Sequence, residues 1–367
     1  MPPEIAFDLT PLQNAHGYRG IGTYVRGLAA RLSQQSDIAI EFWAWDSDLP
    51  LRPLAPHTLR HITRPPMPEY RGAWMFARYA MRRFARQSQV KAVHVTDPDA
   101  LTPLSGRRLL ATVYDLIPLK AGVGRRRLLA RRGYETYVRN LKHVDVLFAI
   151  SEQTAGDLVD MLRIPGGRIR IARPGVDIPP AGTRTVRRAR PYFLYLGGPN
   201  PNKNIAVLLD ALAMCPELSE ELRVGGRWLP KQVAGLEAQV ASGELRGRVR
   251  HIGFVAQDEL TALMRDATAL VVPSLDEGFG LPVAEGMAAG ALVIHSHLPV
   301  LEETSRGAAL TFDAQSASQL AESLRKAAGD PALAARLRAE GLARAGQLTW
   351  DGAVKATLDG YRSVIGS

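Results

Sequence analysis

Val271-Val272-Pro273-Ser274-Leu275-Asp276-Glu277-Gly278-Phe279-Gly280-Leu281-Pro282-Val283-Ala284-Glu285-Gly286-Met287-Ala288-Ala289-Gly290 is the stretch of this 367-residue chain that decides its fold. An apolar run ends at Pro273, a Gly-x-Gly loop follows, Pro282 suits the first position of a helix and Gly290 its end. The segment reads as strand, tight loop and short helix. Gly278 and Gly280 let the backbone approach a ligand closely, and the amides at the helix start favour an anionic group such as a diphosphate. Glu277 and Glu285 bracket that cradle. A carboxylate beside a phosphate repels it unless aimed at hydroxyl groups, and a vicinal diol donates to a carboxylate with good geometry. One Glu could therefore hold a ribose and the other a hexose of a nucleotide sugar. On spacing alone, a Glu285 that merely favours the helix dipole and a solvated Glu277 stand level with that reading.

Outward from this segment, short apolar or β-branched runs alternate with stretches long enough for helices. Ile5–Leu9, Ile38–Ala44, Ala92–Val95, Leu109–Tyr114, Val144–Ile150 and Ile169–Ala172 predict strands, with helices over Gly22–Leu32 and Leu128–Leu141 among the intervals. The pattern restarts with Tyr192–Leu196, Leu222–Val224, Val249–Gly253, Ala269–Val272 and Leu292–His295. Between the two series lies a proline-rich, unpatterned polar segment, the mark of a linker. The expected organisation is an N-terminal Rossmann-like domain over residues 1–178, a linker at 179–191, a second Rossmann-like domain over 192–345 and a helix over 346–367. Apolar spacing leaves open whether that helix packs on the second domain or back toward the first. Two such parallel α/β domains are expected to face a central cleft at the carboxyl ends of their strands.

Composition narrows the function classes. A chain of this length exceeds what one core usually supports, and 46% hydrophobic with 22% charged residues is ordinary for a folded protein. The single Cys215 excludes an internal disulfide and a cysteine metal cluster. No apolar run approaches the ~18–20 residues that cross a bilayer, and the N-terminal sequence lacks a basic-then-apolar signal, so a cytoplasmic protein is expected. The net charge of +10 lies wholly in residues 1–178, which carry 26 Lys and Arg against 16 Asp and Glu. That half is expected to face something anionic.

The Glu277 to Glu285 spacing, with Gly-Phe-Gly after the first Glu and Pro-Val-Ala before the second, closely resembles the signature of glycosyltransferase family four. Tyr195-Leu196-Gly197-Gly198-Pro199-Asn200-Pro201-Asn202-Lys203-Asn204 resembles that family's glycine turn followed by Lys-Asn, whose lysine contacts the donor diphosphate. His251-Ile252-Gly253-Phe254-Val255 is similar to the turn whose backbone meets the nucleobase, and Ser296 to Glu303 to the loop that follows. The resemblance implies an α/β fold of the GT-B type and transfer of a sugar, usually with retention of anomeric configuration. It implies that Glu285 binds the ribose diol and that Glu277 lies beside the transferred sugar. By the same likeness Gly278, Phe279, Gly280 and Leu281 border sugar and phosphates, with Gly197, Gly198, Phe254 and Val255 completing the donor site. Lys203 also answers a physical need, because departure of a nucleoside diphosphate leaves charge that a fixed ammonium stabilises. An arginine common soon after the family's glycine turn is missing here, where Gly198 stands. Arg227, after a strand and a double glycine, is the candidate second cation, with a plain surface arginine as the equal alternative.

In the first half, Phe7-Asp8-Leu9-Thr10-Pro11 reads as a strand end, and Gly17-Tyr18-Arg19-Gly20-Ile21-Gly22-Thr23-Tyr24 as a glycine-rich loop entering a helix, suited to an acceptor or phosphate. The loop resembles a segment of bacterial mannosyltransferases that assemble surface polysaccharides, which points to a donor such as GDP-mannose. Thr112-Val113-Tyr114-Asp115-Leu116 resembles a family segment that usually reads His-Asp-Leu; Tyr114 takes the histidine's position, and Asp115 is a candidate for acceptor or sugar contact. Ser151 is as good a helix cap as a ligand. Basic residues interleave with aromatic ones in Glu69–Arg86 and gather again in Gly124–Lys142. Such helices suit an anionic membrane surface and a lipid-linked acceptor, though a core helix with a solvated basic face is the competing reading. Nucleic acid fits less well, because no binding motif accompanies the charge.

The resemblance thus implies a retaining hexosyltransferase, expected to be metal-independent and to need no cofactor beyond its nucleotide-sugar substrate. Asp97-Pro98-Asp99 has the form of a metal-binding pair but reads here as a turn. A nucleotide-sugar epimerase of similar architecture and a non-catalytic sugar- or lipid-binding protein are the rival classes.

Overall fold

The computed structural model describes residues 2–14, 16–17, 20–45, 57–62, 73–120, 128–179 and 190–366, with backbone alone at 62, 73–74, 128–131 and 257–258. The chain divides into two compact units, Met1–Gly175 with Trp350–Ser367, and Val176–Thr349. The linker core, residues 180–189, and the basic residues Arg71, Arg125, Arg126 and Arg127 lie outside the described residues.

The first unit holds strands β1 (Ile5–Asp8), β2 (Ile40–Trp45), β3 (Thr58–Ile62), β4 (Ala92–Val95), β5 (Arg108–Val113), β6 (Val146–Ala149) and β7 (Ile169–Ile171). All pair in parallel, in the order β3-β2-β1-β4-β5-β6-β7. Helices α1 (Gly20–Leu32), α2 (Ala73–Gln87), α3 (Ile117–Lys120), α4 (Leu128–Leu141) and α5 (Glu152–Leu162) connect them. The central strands β1, β4 and β6 are buried along their whole length, as a parallel sheet covered on both faces requires. Trp43 stacks on Phe84 of α2, with ring centroids 5.0 Å apart, which seats that helix on the sheet.

The second unit repeats the plan with strands β8 (Tyr192–Leu196), β9 (Glu221–Gly225), β10 (Val249–Gly253), β11 (Ala269–Val272), β12 (Val293–Ser296) and β13 (Leu310–Phe312), in the order β10-β9-β8-β11-β12-β13. Its helices are α6 (Ile205–Ala213), α7 (Pro230–Gln239), α8 (Gln257–Arg265), α9 (Leu281–Ala288), α10 (Pro299–Ser305), α11 (Ala317–Gly329) and α12 (Pro331–Ala345). In both units the strand order reverses beside the first strand, the switch point at which open α/β sheets place ligands outside their carboxyl ends. The pattern of apolar runs had no place for β3 and β13, each of which forms a sheet edge. Paired on one side only, such strands need no continuous apolar run, and β3 mixes Arg60 and His61 with its apolar residues.

The last helix, α13 (Asp351–Ile365), belongs to the first unit. Its Tyr361 hydroxyl meets His94 Nδ1 at 2.9 Å, and His94 Nε2 meets Thr112 Oγ1 at 2.9 Å, so a buried imidazole has both nitrogens satisfied by protein. Burial pushes His94 down to about 3 and keeps it neutral. Gly360 lets the helix approach the ring of Phe148, 2.6 Å from where a Cβ would stand, and Gly27 of α1 does the same under Trp350. Among the described residues, no helix is long and apolar enough to cross a membrane.

Candidate active site

The loop after β11 is built by local geometry. Gly280 has φ +87° at the N-cap of α9, and a side chain there would run into Leu301 Cδ2. Pro282, which has no amide hydrogen, sits in the first turn, no side chain caps the helix, and Val283 N donates to the Gly280 carbonyl at 2.9 Å, which leaves Leu281 N as the first-turn amide open to an anion. The Phe279 ring is buried, and its carbonyl accepts from Thr304 Oγ1 at 2.5 Å, which fixes the loop from beneath.

Lys203 ends the turn Pro201–Lys203 after β8, and its Nζ lies 2.6 Å from Glu277 Oε1. Ser274, itself buried, donates from Oγ to the same oxygen at 2.7 Å. The two loops are further laced where Asn202 Nδ2 donates to the Asp276 carbonyl at 2.8 Å and Leu275 N donates to the Asn202 carbonyl at 2.8 Å. One of the three ammonium donors of Lys203 is thus committed to Glu277, and two directions are left for other oxygens. Glu285, one turn into α9, is half-buried, and its carboxylate accepts no hydrogen bond among the described residues. Burial pushes it up to about 7.

The ends of β8, β9 and β10 close together through glycines. Gly197 N donates to the Gly225 carbonyl at 2.9 Å and Gly226 N to the Gly253 carbonyl at 2.8 Å. A side chain at Gly226, where φ is +147°, would strike the Gly197 carbonyl. Trp228 Nε1 donates to that carbonyl at 2.8 Å, and the Tyr195 hydroxyl donates to the Gly198 carbonyl at 3.1 Å. Arg227 is exposed and lies over the Phe254 ring, 4.8 Å from its centroid.

In the first unit a second polar cluster stands at the carboxyl ends of β1, β4 and β5. Asp8 accepts from Thr10 Oγ1 at 2.7 Å and from the amides of Thr10, Thr96 and Asp97. Burial raises its carboxyl, against those hydrogen bonds. Asp97 accepts from Asn14 Nδ2 at 2.8 Å, and burial, then the charges of Asp99 and Asp8, hold it well above the usual carboxylate range. His16, Asp97 and Asp99 each bring one ligand atom within 4.8 Å of the others, a spacing a divalent cation could use. The Asp97 to Asp99 segment is also a turn, closed by Asp99 N donating to Asp97 Oδ1 at 2.9 Å. Tyr114 is buried, and its hydroxyl donates to the Thr96 carbonyl at 3.0 Å, so it braces the sheet end. Asp115 Oδ1 accepts from Ile117 N at 3.0 Å at the start of α3. Gly22 N donates to the His16 carbonyl at 3.0 Å, and Gly22 abuts the Gly17 backbone too closely for any side chain. Ser151 caps α5, accepting from Thr154 N at 3.0 Å.

Two family profiles match these units. Residues 18–178 match "Glycosyltransferase Family 4", and residues 184–344 match "Glycosyl transferases group 1". The chain belongs with the family-four-like GT-B glycosyltransferases. Among its relatives, the O-antigen chain mannosyltransferase B of Escherichia coli is 26% identical over 238 residues, covering 61% of this chain and 62% of that protein. The D-inositol 3-phosphate glycosyltransferase of Streptomyces avermitilis is 33% identical over 244 residues, covering 60% of this chain and 52% of the relative. The matched region therefore spans less than two thirds of either relative's length. Of the solved structures, sucrose-phosphate synthase from Thermosynechococcus elongatus superposes with a TM-score of 0.80 at 21% identity over 99% of both chains. WaaG, a glycosyltransferase involved in lipopolysaccharide biosynthesis, gives 0.76 at 17% identity over 99% of this chain and 100% of WaaG. At such identity these two speak for the fold alone.

In the second unit the fold unites Lys203, Glu277 and the Gly278 to Leu281 loop, with Glu285 on the helix that follows. Gly20, Ile21, Gly22, Tyr114 and Asp115 lie in the other unit. Sequence reading missed Ser274 and Asn202, the side chains that hold Glu277 and its loop. A serine three residues before Glu277 was visible, but Asn202 lies 74 residues from its partner Asp276 and carries no local signal.

Proposed function

We propose that this protein transfers a hexose, mannose in preference, from a nucleotide diphosphate sugar such as GDP-mannose to a hydroxyl of a saccharide or lipid-linked acceptor, in the assembly of a bacterial polysaccharide. The observation that carries the reading is the Lys203–Glu277 pair, 2.6 Å apart beside the Gly278 to Leu281 loop, with the unpartnered Glu285 carboxylate on the same helix. Cation, helix-start amide and two carboxylates suit, in turn, a diphosphate, a hexose and a ribose. The mannosyltransferase relatives support the choice of sugar.

The second unit is the donor domain in this reading, and the first, with Gly20, Ile21, Gly22 and Asp115, takes the acceptor. Lys203, helped by Arg227, meets the β-phosphate, while Glu285 accepts from the ribose diol and Glu277 from the sugar. Transfer proceeds with retention by front-face attack. The C1–O bond to the β-phosphate breaks with its electron pair leaving on the nucleoside diphosphate, the acceptor oxygen bonds to C1 on the same face, and the acceptor proton passes to the departing phosphate oxygen. Lys203 and the start of α9 stabilise the charge that develops, so no metal is required. The enzyme works in the cytoplasm, at the inner face of the membrane.

The test is nucleoside diphosphate release from GDP-, UDP- and ADP-sugars with and without a mannoside acceptor, in the presence of EDTA, with the product anomer read by NMR. Acceptor-dependent GDP release and an α-linked product are expected. Conversion of donor without acceptor would instead make the protein an epimerase, and binding without any release would make it a lectin-like protein.

A further inference from the structure

Helix α2 divides its surface in an unusual way. Ala80, Met81, Phe84 and Ala85 are buried against the sheet, so the opposite face looks outward. At the N-terminal end of that outer face Met75, Phe76 and Tyr79 are 48%, 39% and 61% exposed, and at its C-terminal end Arg82, Arg83 and Arg86 are exposed. No acidic residue occurs in the helix. Three exposed large apolar side chains within two turns, continuous with three cations, are poorly suited to water but well suited to the boundary of an anionic bilayer.

Beside this face, α2 and α4 enclose a groove of about 360 Å³, lined among others by Met75, Arg78, Tyr79, Arg82, Thr136 and Arg139. Arg78 forms the floor: its Nε donates to the Leu101 carbonyl at 3.1 Å and its Nη2 to the Gly133 carbonyl at 3.0 Å. Arg139 is steadied by Thr136 Oγ1 at 3.3 Å, and Arg82 makes no hydrogen bond or ion pair among the described residues. Arg82 and Arg139 add like charge beside Arg78, Asp99 and Asp97 offset it in part, and a phosphate, which matches guanidinium geometry, would offset the rest. The apolar rim adds a second requirement, because a free phosphate would leave Met75, Phe76 and Tyr79 in water.

We propose that the groove between α2 and α4 is a headgroup site, in which Arg82 and Arg139 bind the phosphate of an anionic phospholipid while Met75, Phe76 and Tyr79 enter the acyl boundary. The site would hold the first unit on the membrane where a lipid-linked acceptor resides. The proposal rests on that acceptor reading for its purpose alone, and binding is measured without donor, acceptor or turnover, so the two can fail separately.

The experiment is flotation of the full chain with vesicles of phosphatidylcholine, or of phosphatidylcholine mixed with phosphatidylglycerol. The protein is expected to float with the mixed vesicles and to stay behind with the neutral ones. Arg82→Ala with Arg139→Ala should lower partitioning about thirty-fold, near five-fold for each charge removed close to the surface. Tyr79→Ser should lower it about ten-fold. Arg336→Ala, an exposed cation of the second unit, should change nothing. Arg82 is exposed, so Arg82→Gln alone, with about a five-fold loss, serves if the double variant does not fold. Equal flotation with neutral vesicles, wild-type flotation of a folded double variant, a loss in Arg336→Ala as large as in the double variant, or retention on duplex DNA with none on the vesicles would each overturn the proposal.

Discussion

Replacing Glu285 by Gln should strengthen the fold and weaken the site, and the pH at which each effect appears is set by the structure. The carboxyl titrates near 4.5 when exposed and is pushed up to about 7 by burial in the fold. Below pH 4.5 folded and unfolded chains both hold the proton, so the residue contributes nothing to pH dependence. As pH rises from there the unfolded chain ionises first, and the folded chain loses stability until its own carboxyl ionises near 7. Above that the loss is complete, on the order of 3 kcal/mol. Gln keeps the shape of the protonated acid at every pH. Glu285→Gln should therefore match wild type at pH 4 and melt about 6 to 12 °C higher at pH 8, read by calorimetry as the transition of the second unit. Only the ionised carboxylate accepts from both hydroxyls of a diol. In wild type relative to the variant, the affinity for GDP should thus rise about tenfold per pH unit toward 7 and then level off, the titration of the phosphate cancelling in the ratio. A variant no more stable than wild type at pH 8 would show that Glu285 is not forced toward neutrality, and a flat affinity ratio would remove it from the donor site.

Lys203→Ala should lower kcat about a hundred- to a thousand-fold, and should also cost about 1–3 kcal/mol in stability because it leaves the largely buried Glu277 carboxylate without its cation; a kcat within threefold of wild type would end its assignment. Tyr114→Phe should cost about 1 kcal/mol in urea unfolding, through loss of the bond to the buried Thr96 carbonyl, and leave kcat near wild type. A large fall in kcat there would mean that the hydroxyl meets substrate. Gly280→Ala places a Cβ at φ +87° and against Leu301, so it should destabilise the second unit by about 1–3 kcal/mol. The double variant Gly280→Ala with Leu301→Ala should regain little of this, and full recovery would show that the contact, not the backbone, was the cause.

The alternation of apolar runs was enough to place most strands, because a central parallel strand is buried on both faces and must be largely apolar, as β11 is throughout and β1 and β4 are apart from Asp8 and His94. Edge strands escape that demand, so β3 and β13 could form without a signature, although the edge strands β7 and β10 did carry apolar runs. The loop from Glu277 to Glu285 was legible for a related reason: a positive φ at Gly280 and a helix start at Leu281 are local requirements, met by residues a few positions apart. Side-chain partnership across the chain obeys no such rule. Lys203 and Glu277 are 74 positions apart, and two residues read as separate contacts prove to be one ion pair, held by Ser274. Tyr114 is directed into the sheet by the Thr96 carbonyl, and His16 is brought to Asp97, 81 positions away, by the loop that precedes α1. The sequence by itself determined which backbone the chain would adopt and which residue types would line it, since backbone preference and burial are short-range properties. Only the tertiary structure decided which of those side chains touch and which carboxyl is pushed toward neutrality, because charge and hydrogen bonding depend on distances that folding alone sets.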